Sequence, residues 1–212
     1  MFAINHAATA LIIKKEFINV SITWILLSVQ FMELLWIILN FLGVEKTTTE
    51  KEVRYVGDVH LSYMPFSHSI VTMVGVALLA WFIISKGLNR SDIGLAVSIG
   101  VISHLILDLI THSNDIVIAP FINGKKYGLG LYDRYPILAF ILEIGYGFAC
   151  WLIYKGSWVL LGAIIIFNLA NISMFFSSVT GIEKYMANRP LLITVVIFVQ
   201  ILLTLSLVGF LS

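Results

Sequence analysis

Long apolar blocks separated by short polar ones dominate the chain, and this pattern predicts membrane-spanning helices. At a rise of ~1.5 Å per residue, a helix of about 20 residues crosses the ~30 Å apolar core of a bilayer. Six stretches approach or exceed that length: 20–42, 68–85, 92–111, 136–154, 157–179 and 190–211. Residues 2–13 cover only ~18 Å, which predicts an N-terminal half-helix that dips into the membrane. We therefore expect an all-α, polytopic integral membrane protein with about six transmembrane helices plus this half-helix.

The polar connections between these blocks define the two ends of the predicted bundle. Short connections at 14–19, 86–91 and 155–156 lie at one end, here named side A, and the long connections 43–67 and 112–135 lie at the other, side B. Side A carries five lysines and arginines and side B eight, so the positive-inside rule does not settle the orientation. No internal repeat is evident, and residues 1–212 are interpreted as one integral membrane domain.

Composition supports this class and removes others. The chain has 212 residues, of which 59% are hydrophobic and 12% charged, whereas soluble domains carry about 25% charged residues. The net charge of +1 gives no reason to expect a nucleic-acid partner. The single cysteine, Cys150, excludes an intramolecular disulfide and a CxxC metal site. We expect no cleavable signal peptide, because Lys14 and Lys15 follow the first apolar segment instead of preceding it.

The predicted helix 92–111 leads into a run of chemically active side chains. His104, Asp108 and His112 are spaced at i, i+4 and i+8. Because each four-residue step advances only ~40° around a helix, the three side chains share one face. Imidazole nitrogen and carboxylate oxygen together suit zinc. The alternative interpretation is a polar seam between helices.

Other ionisable residues reach a similar depth in the predicted bundle. Counting helical rise from side A, Glu33 lies ~20 Å deep, His104 ~18 Å and Glu143 ~17 Å. His68 begins its span at side B, and His6 in the half-helix can reach the same level. No lysine or arginine lies within the predicted spans, so the buried acids must be protonated or neutralised by a cation. A bound divalent metal meets this requirement.

Several segments resemble the bacterial membrane-bound metal-dependent hydrolases of the YdjM type. The resemblance covers roughly residues 1–150 and is carried by Asn5-His6, the segment 30–36, the turn 64–69, the run from Ser103 to His112, Gly128-Leu129-Gly130-Leu131, and Leu142-Glu143. That family often has Asp where this chain has Glu33. Through its similarity to the zinc-dependent phospholipase C and nuclease group, the resemblance implies two or three zinc ions, hydrolysis of phosphate esters, and the bacterial cytoplasmic (inner) membrane.

Spacing, depth and resemblance together give a predicted site. The predicted metal ligands are the histidines and acids of the buried level: His6, Glu33, His68, His104, Asp108, His112 and Glu143. The acids among them are also the predicted catalytic residues: Glu33, Asp108 and Glu143. Weaker candidates lie in the side-B connections: His60, Asp58 and Asp115. Cations in the second connection are possible contacts for an anionic head group: Lys125, Lys126 and Arg134. Residues 1–150 form the predicted metal-site core, and 151–212 two scaffold helices.

The predicted function is that of a membrane-embedded hydrolase with one to three divalent ions, zinc foremost. Its expected substrate is a phosphate ester of a membrane lipid or lipid-linked molecule, since the site lies near the head-group level. A divalent-metal or proton-coupled transporter is the alternative, because buried histidines and acids also mark ion pathways. Two features count against a transporter. The chain shows no inverted repeat, and the side-A half of helix 92–111 offers no path of ionisable residues along which an ion could leave. A non-enzymatic scaffold would leave the buried acids unexplained.

Overall fold

The computed structural model describes residues 1–122 and 124–212, apart from the side chain of Lys184. In this part of the chain, eight α-helices are numbered in order: α1 Ala3–Glu16, α2 Ile22–Phe41, α3 Ile70–Gly87, α4 Ser91–Thr111, α5 Leu131–Arg134, α6 Pro136–Tyr154, α7 Trp158–Ala170 and α8 Pro190–Leu211. Five of these, α2, α3, α4, α6 and α8, are long and apolar enough to cross a membrane. The prediction of an all-α polytopic membrane protein is confirmed.

The expected sixth span, 157–179, is wrong in length. Helix α7 has only 13 residues, which at ~1.5 Å per residue is ~20 Å and too short to cross the apolar core. It ends because Asn171 leaves the helical conformation and the chain turns into the 3-10 helix Ile172–Met174. The side-chain amide of Asn171 donates to the carbonyl of Phe167, which satisfies one of the free carbonyls at the helix end.

The short N-terminal helix is the buried axis of the bundle. Helix α1 has 14 residues and contacts α2, α4, α6, α7 and α8. Every side chain from Ile4 to Leu11 is buried, so the helix has no lipid-facing side over this stretch. The polar residues Asn5, His6 and Thr9 are therefore held inside protein, where each needs a partner.

Helix α4 packs closely on α2 because a glycine lies at their contact. A Cβ on Gly100 would overlap the hydroxyl oxygen of Ser28 on α2. Small residues at such crossings allow two helix backbones to approach. One turn further along α4, this approach brings the ring of His104 within 2.8 Å of the Val29 carbonyl oxygen on α2. Gly100 thus allows α4 to approach α2 closely enough for His104 to bond to Val29.

The two long connections at side B are folded. The first contains an antiparallel hairpin of β1 Lys46–Thr49 and β2 Val59–Tyr63, with the 3-10 helix Val56–Asp58 between its strands. The second returns to the end of α4, where the amides of Leu129 and Gly130 donate to the carbonyls of Leu109 and His112. Gly128 has a φ of +144°, and a Cβ there would overlap backbone oxygens after α4. A glycine is therefore required where the second connection bonds to the end of α4.

Candidate metal centre

Asp108 is the centre of the site. It lies in the last turn of α4 and is fully buried. Its Oδ2 atom lies 3.0 Å from His104 Nε2 and 3.5 Å from His68 Nε2. Its Oδ1 atom lies 3.2 Å from His6 Nε2 and 3.7 Å from His112 Nε2. Each carboxylate oxygen therefore faces a different pair of imidazoles.

Glu33 adds a second carboxylate from α2. Its Oε1 atom lies 3.7 Å from His68 Nε2 and 3.9 Å from His104 Nε2. One ligand atom from each of four residues, His6, Glu33, His104 and Asp108, lies within 4.8 Å of the other three. Helices α1, α2 and α4 and the turn before α3 thus bring together six of the seven predicted metal ligands.

The tautomer of His104 is fixed by the backbone. A carbonyl oxygen can only accept, so the Nδ1 of His104 carries the hydrogen that it donates to the Val29 carbonyl at 2.8 Å. In the neutral ring, Nε2 then holds a lone pair that faces Asp108 Oδ2 at 3.0 Å. Neither atom has a hydrogen-bond partner among the described residues. Two such acceptors repel each other unless a proton or a metal cation lies between them.

His68 is oriented in the same way by side chains. The hydroxyl of Ser67 donates to Glu45 Oε2 at 2.5 Å, so its oxygen is free to accept from His68 Nδ1 at 2.7 Å. Glu45 also accepts from the backbone amides of Phe66 and Ser67, at 2.8 and 2.9 Å. The result is a carboxylate–serine–histidine chain that directs the lone pair of His68 Nε2 toward Glu33 and Asp108. Metal-binding histidines are commonly held by such a partner on the second ring nitrogen.

Sequence reasoning missed Glu45 and the hydrogen bond that Ser67 makes to it. Glu45 lies in a polar connection, where an acid normally faces water, yet it is almost completely buried. Its partner Ser67 lies 22 residues further along the chain. No local pattern indicates a pairing over that distance.

His6 and His112 complete the ring of imidazoles on the Oδ1 side of Asp108. The ring of His6 stacks on that of His104, with 4.0 Å between centroids, and neither of its nitrogens has a hydrogen-bond partner in the described part of the chain. His112 is the extended residue that follows α4, so it does not share the helix face that its spacing predicts, but its ring still reaches Asp108. Its Nδ1 lies 3.5 Å from Asp115 Oδ1, which brings this weaker candidate to the edge of the site.

The charges of the site do not balance without a further cation or proton. Asp108 and Glu33 are both carboxylates, and the Met1 ammonium lies 2.8 Å from Asp108 Oδ1. The other ion-pair partners of these two acids among the described residues are the four histidines. The charge of Glu33, which has only histidines as ion-pair partners in the described part of the chain, therefore remains to be neutralised by an imidazolium or by a metal. The set of neutral imidazoles and carboxylates fits a zinc-type ion.

Glu143 forms hydrogen bonds at the start of α1 instead of facing the imidazoles. It accepts from the backbone amide of Phe2 at 3.3 Å and from Asn5 Nδ2 and the Tyr132 hydroxyl. Burial and the neighbouring Glu143 carboxylate raise the pKa of Tyr132, which keeps its hydroxyl protonated as a donor. Asn5 also donates to Asn168 on α7 at 2.8 Å. This network fixes the residue that precedes His6.

The remaining candidates lie away from the imidazoles. His60 is 47% exposed, and its Nε2 lies 3.0 Å from Glu50 Oε1. Asp58 accepts from the backbone amides of Arg54 and Tyr55, so it caps the 3-10 helix of the hairpin. The structure therefore gives both residues local partners at side B.

The three candidate head-group contacts lie on the exposed side-B surface: Lys125, Lys126 and Arg134. The ammonium of Lys125 lies 5.7 Å from the centroid of the Tyr127 ring, a distance at which a cation and an aromatic face attract. Lys125, Lys126 and Arg134 remain available to an anionic group, but the structure does not bring them to the imidazoles.

Comparison with known families identifies the chain. A family model described as "YdjM inner membrane protein" matches residues 45–182. The match covers more than half of the chain, which therefore belongs to this family and is an inner membrane protein. His68, His104, Asp108 and His112 lie inside the matched range, whereas His6 and Glu33 lie before it. No curated protein and no solved structure matches.

Proposed function

For this member of the YdjM inner membrane protein family, we propose the function of a metal-dependent hydrolase that cleaves a phosphate ester of a lipid or lipid-linked substrate. The observation that carries the proposal is the 3.0 Å contact between His104 Nε2 and Asp108 Oδ2, because the bond to Val29 leaves Nε2 of the neutral ring as an acceptor that faces a carboxylate oxygen. A proton alone would satisfy this pair. A metal also accounts for the second aligned lone pair, on His68, and for the uncompensated carboxylate charge.

The donor geometry suggests which residues hold the ion. His68, His104 and Glu33 share the Oδ2 side of Asp108, whereas His6 and His112 share the Oδ1 side. The Oδ2 group of residues would hold a first ion, and His6 and His112 would hold any further one on the Oδ1 side, where the Met1 ammonium lies 2.8 Å from the oxygen. Zinc is the expected metal, with one to three ions. When bound, such an ion lowers the pKa of a water molecule and polarises a phosphoryl oxygen.

The protein's own groups have distinct roles in this proposal. The Val29 carbonyl and the Ser67–Glu45 pair hold two imidazoles in the tautomer that offers Nε2. Asp108 is fully buried among four imidazoles, which makes it a ligand. Glu33 is 15% exposed and lines the adjoining cavity. Glu33 is therefore the carboxylate placed to accept a proton from an attacking water, as a general base requires.

Metal analysis combined with hydrolysis assays tests this proposal. The protein is purified mildly, and wild type is compared with the double variant His104→Ala/Asp108→Ala. The matched control is His60→Ala/Asp92→Ala, which removes the same residue types at exposed positions. We expect bound zinc, and phosphate release from phosphate-ester lipids in proteoliposomes, in the wild type and the control only. A metal-free wild type, or hydrolysis that survives in the double variant, contradicts the proposal. Zinc transport without hydrolysis would favour a transporter.

A further inference from the structure

A cavity of about 190 Å³ adjoins the metal centre and has a mainly apolar wall. Glu33, His112 and Asp115 line the part next to the metal donors. Trp36 on α2, the side-B hairpin, the segment between α7 and α8, and α8 itself line most of the remainder. An apolar cavity next to metal-binding side chains is suited to an amphiphilic molecule. The polar part of that molecule would lie at the metal-binding side chains.

One face of α8 forms a continuous part of this wall. Ile193, Val196, Ile197, Gln200 and Ile201 line the cavity, and their spacing of i, i+3, i+4, i+7 and i+8 places them on a single helix face. The neighbouring Val195 is 41% exposed and belongs to the outer face. Helix α8 lies beyond the residues matched by the family model. Its inner face is therefore a place where this chain can set its own substrate preference.

The polar side chains that α8 and the segment before it contribute to the cavity are already paired. Gln200 donates to Asn171 at 3.0 Å, and Ser173 donates to Glu183 at 2.9 Å. Trp36 differs from them, because its indole nitrogen is buried and has no hydrogen-bond partner among the described residues. Trp36 lies three residues after Glu33, on the same face of α2. A buried N–H donor at that position calls for an acceptor from the ligand.

We propose that this cavity binds one apolar chain of the lipid substrate, and that the indole N–H of Trp36 donates to an oxygen of the substrate's ester group. The inference rests on the proposed function for the nature of that group. The volume favours one chain over two, since pockets for drug-sized ligands usually measure about 300–1,000 Å³. Trp36 acts here as a positioning residue, and α8 as the wall that limits chain length.

Binding of a chain-length series tests the cavity independently of catalysis. Alkyl phosphates of increasing length, and one isoprenyl phosphate, are titrated against protein in nanodiscs, with the dissociation constant as the readout. Until the cavity is full, each added methylene should tighten binding about fourfold, the equivalent of ~0.8 kcal/mol per buried CH₂. Preference between straight and branched chains then distinguishes an acyl from an isoprenoid substrate.

Variants on the two faces of α8 separate the cavity from general partition into lipid. We expect Val196→Phe to shorten the chain length at which affinity stops rising, and Val196→Ala to lengthen it. Val195→Phe, the matched control on the outer face, should leave the series unchanged. If all three variants give the wild-type series, the assignment of the cavity is overturned. The opposite shifts of the two Val196 variants also exclude a general folding defect as the cause.

Trp36→Phe tests the donor separately. It retains an aromatic wall and removes only the N–H. Affinity should therefore fall about two- to tenfold, as for the loss of one hydrogen bond. The factor should be the same at every chain length. An unchanged affinity would overturn this assignment. Chain-dependent binding without hydrolysis would refute the proposed function alone, whereas hydrolysis that ignores both Val196 variants would refute the inference alone.

Discussion

Glu45→Gln is the most discriminating change that the structure offers. The glutamine oxygen can replace Glu45 Oε1 and accept from the amides of Phe66 and Ser67, so the fold of the turn should survive. The new NH₂ group then faces Ser67 Oγ, where the wild-type carboxylate accepts at 2.5 Å. The Ser67 oxygen accepts from this amide, and the buried Ser67 hydroxyl hydrogen then keeps a partner only if it donates to His68 Nδ1. The hydrogen of the ring therefore moves to Nε2, which faces Glu33 and Asp108.

The expected effect has opposite signs with and without metal. With zinc, the ring hydrogen of His68 must return to Nδ1, so the Ser67 hydroxyl hydrogen loses its acceptor, a net cost of about 0.5–1.5 kcal/mol per hydrogen bond. Substitutions in this outer layer of metal sites typically weaken metal binding about 10- to 100-fold, which corresponds to ~1.4–2.8 kcal/mol at 1.4 kcal/mol per tenfold change. Without zinc, the Nε2–H faces carboxylate oxygens at 3.5 and 3.7 Å, which attract it, so the metal-free protein should be as stable as the wild type or more stable.

Zinc affinity by competition with a chelator, and the thermal unfolding temperature with and without zinc, measure these two effects. Glu50→Gln is the matched control, because Glu50 contacts a histidine outside the site: its Oε1 lies 3.0 Å from His60 Nε2, and both side chains are exposed to solvent. It should change neither quantity. A Glu45→Gln variant that binds zinc like the wild type would refute the assigned tautomer. Equal losses in both variants would refute the specific role of Glu45.

Three further predictions concern the support of the site. Gly100→Ala should lower zinc affinity and the unfolding temperature, because its Cβ would overlap Ser28. The control Gly75→Ala, which has open space around the new Cβ, should leave stability unchanged or raise it. Glu143→Ala should destabilise the protein by about 1–3 kcal/mol in thermal or denaturant unfolding, since it leaves buried donors unpaired, and an unchanged stability would contradict this role. Zinc at 100 times its dissociation constant should stabilise wild type by about 2.7 kcal/mol and leave Asp108→Ala unaffected; equal stabilisation of both would place the metal elsewhere.

The sequence allowed the membrane class and most helix positions to be predicted because both depend on local composition. An apolar run of about 20 residues has few alternatives to a spanning helix. The exception, α7, shows the limit of that reasoning. Asn168 and Asn171 do not reduce the hydropathy of 157–179 enough to interrupt a predicted span, yet their amides bond to carbonyls of the same helix and the helix ends at Asn171.

The site was predictable to the extent that helix geometry fixes it. The four-residue spacing of His104 and Asp108 puts both on one face, and depth counting brings Glu33 to their level. Depth is only one coordinate, however, and the rotation of a helix about its axis depends on tertiary packing. Glu143 reaches a similar depth, but its side chain bonds to Phe2, Asn5 and Tyr132.

The hydrogen bonds of Glu143 fix the start of the buried N-terminal helix α1, which carries His6. Burying Asn5, Glu143 and Asn168 costs free energy unless their groups are paired, and apolar residues could fill the same space. Their mutual bonds instead hold the start of α1, and His6 follows Asn5 directly in that helix. His6 itself makes no hydrogen bond in the described part of the chain, so its position depends on this network. We therefore interpret Glu143 as a residue that acts on the candidate metal centre through α1, by fixing where His6 meets Asp108.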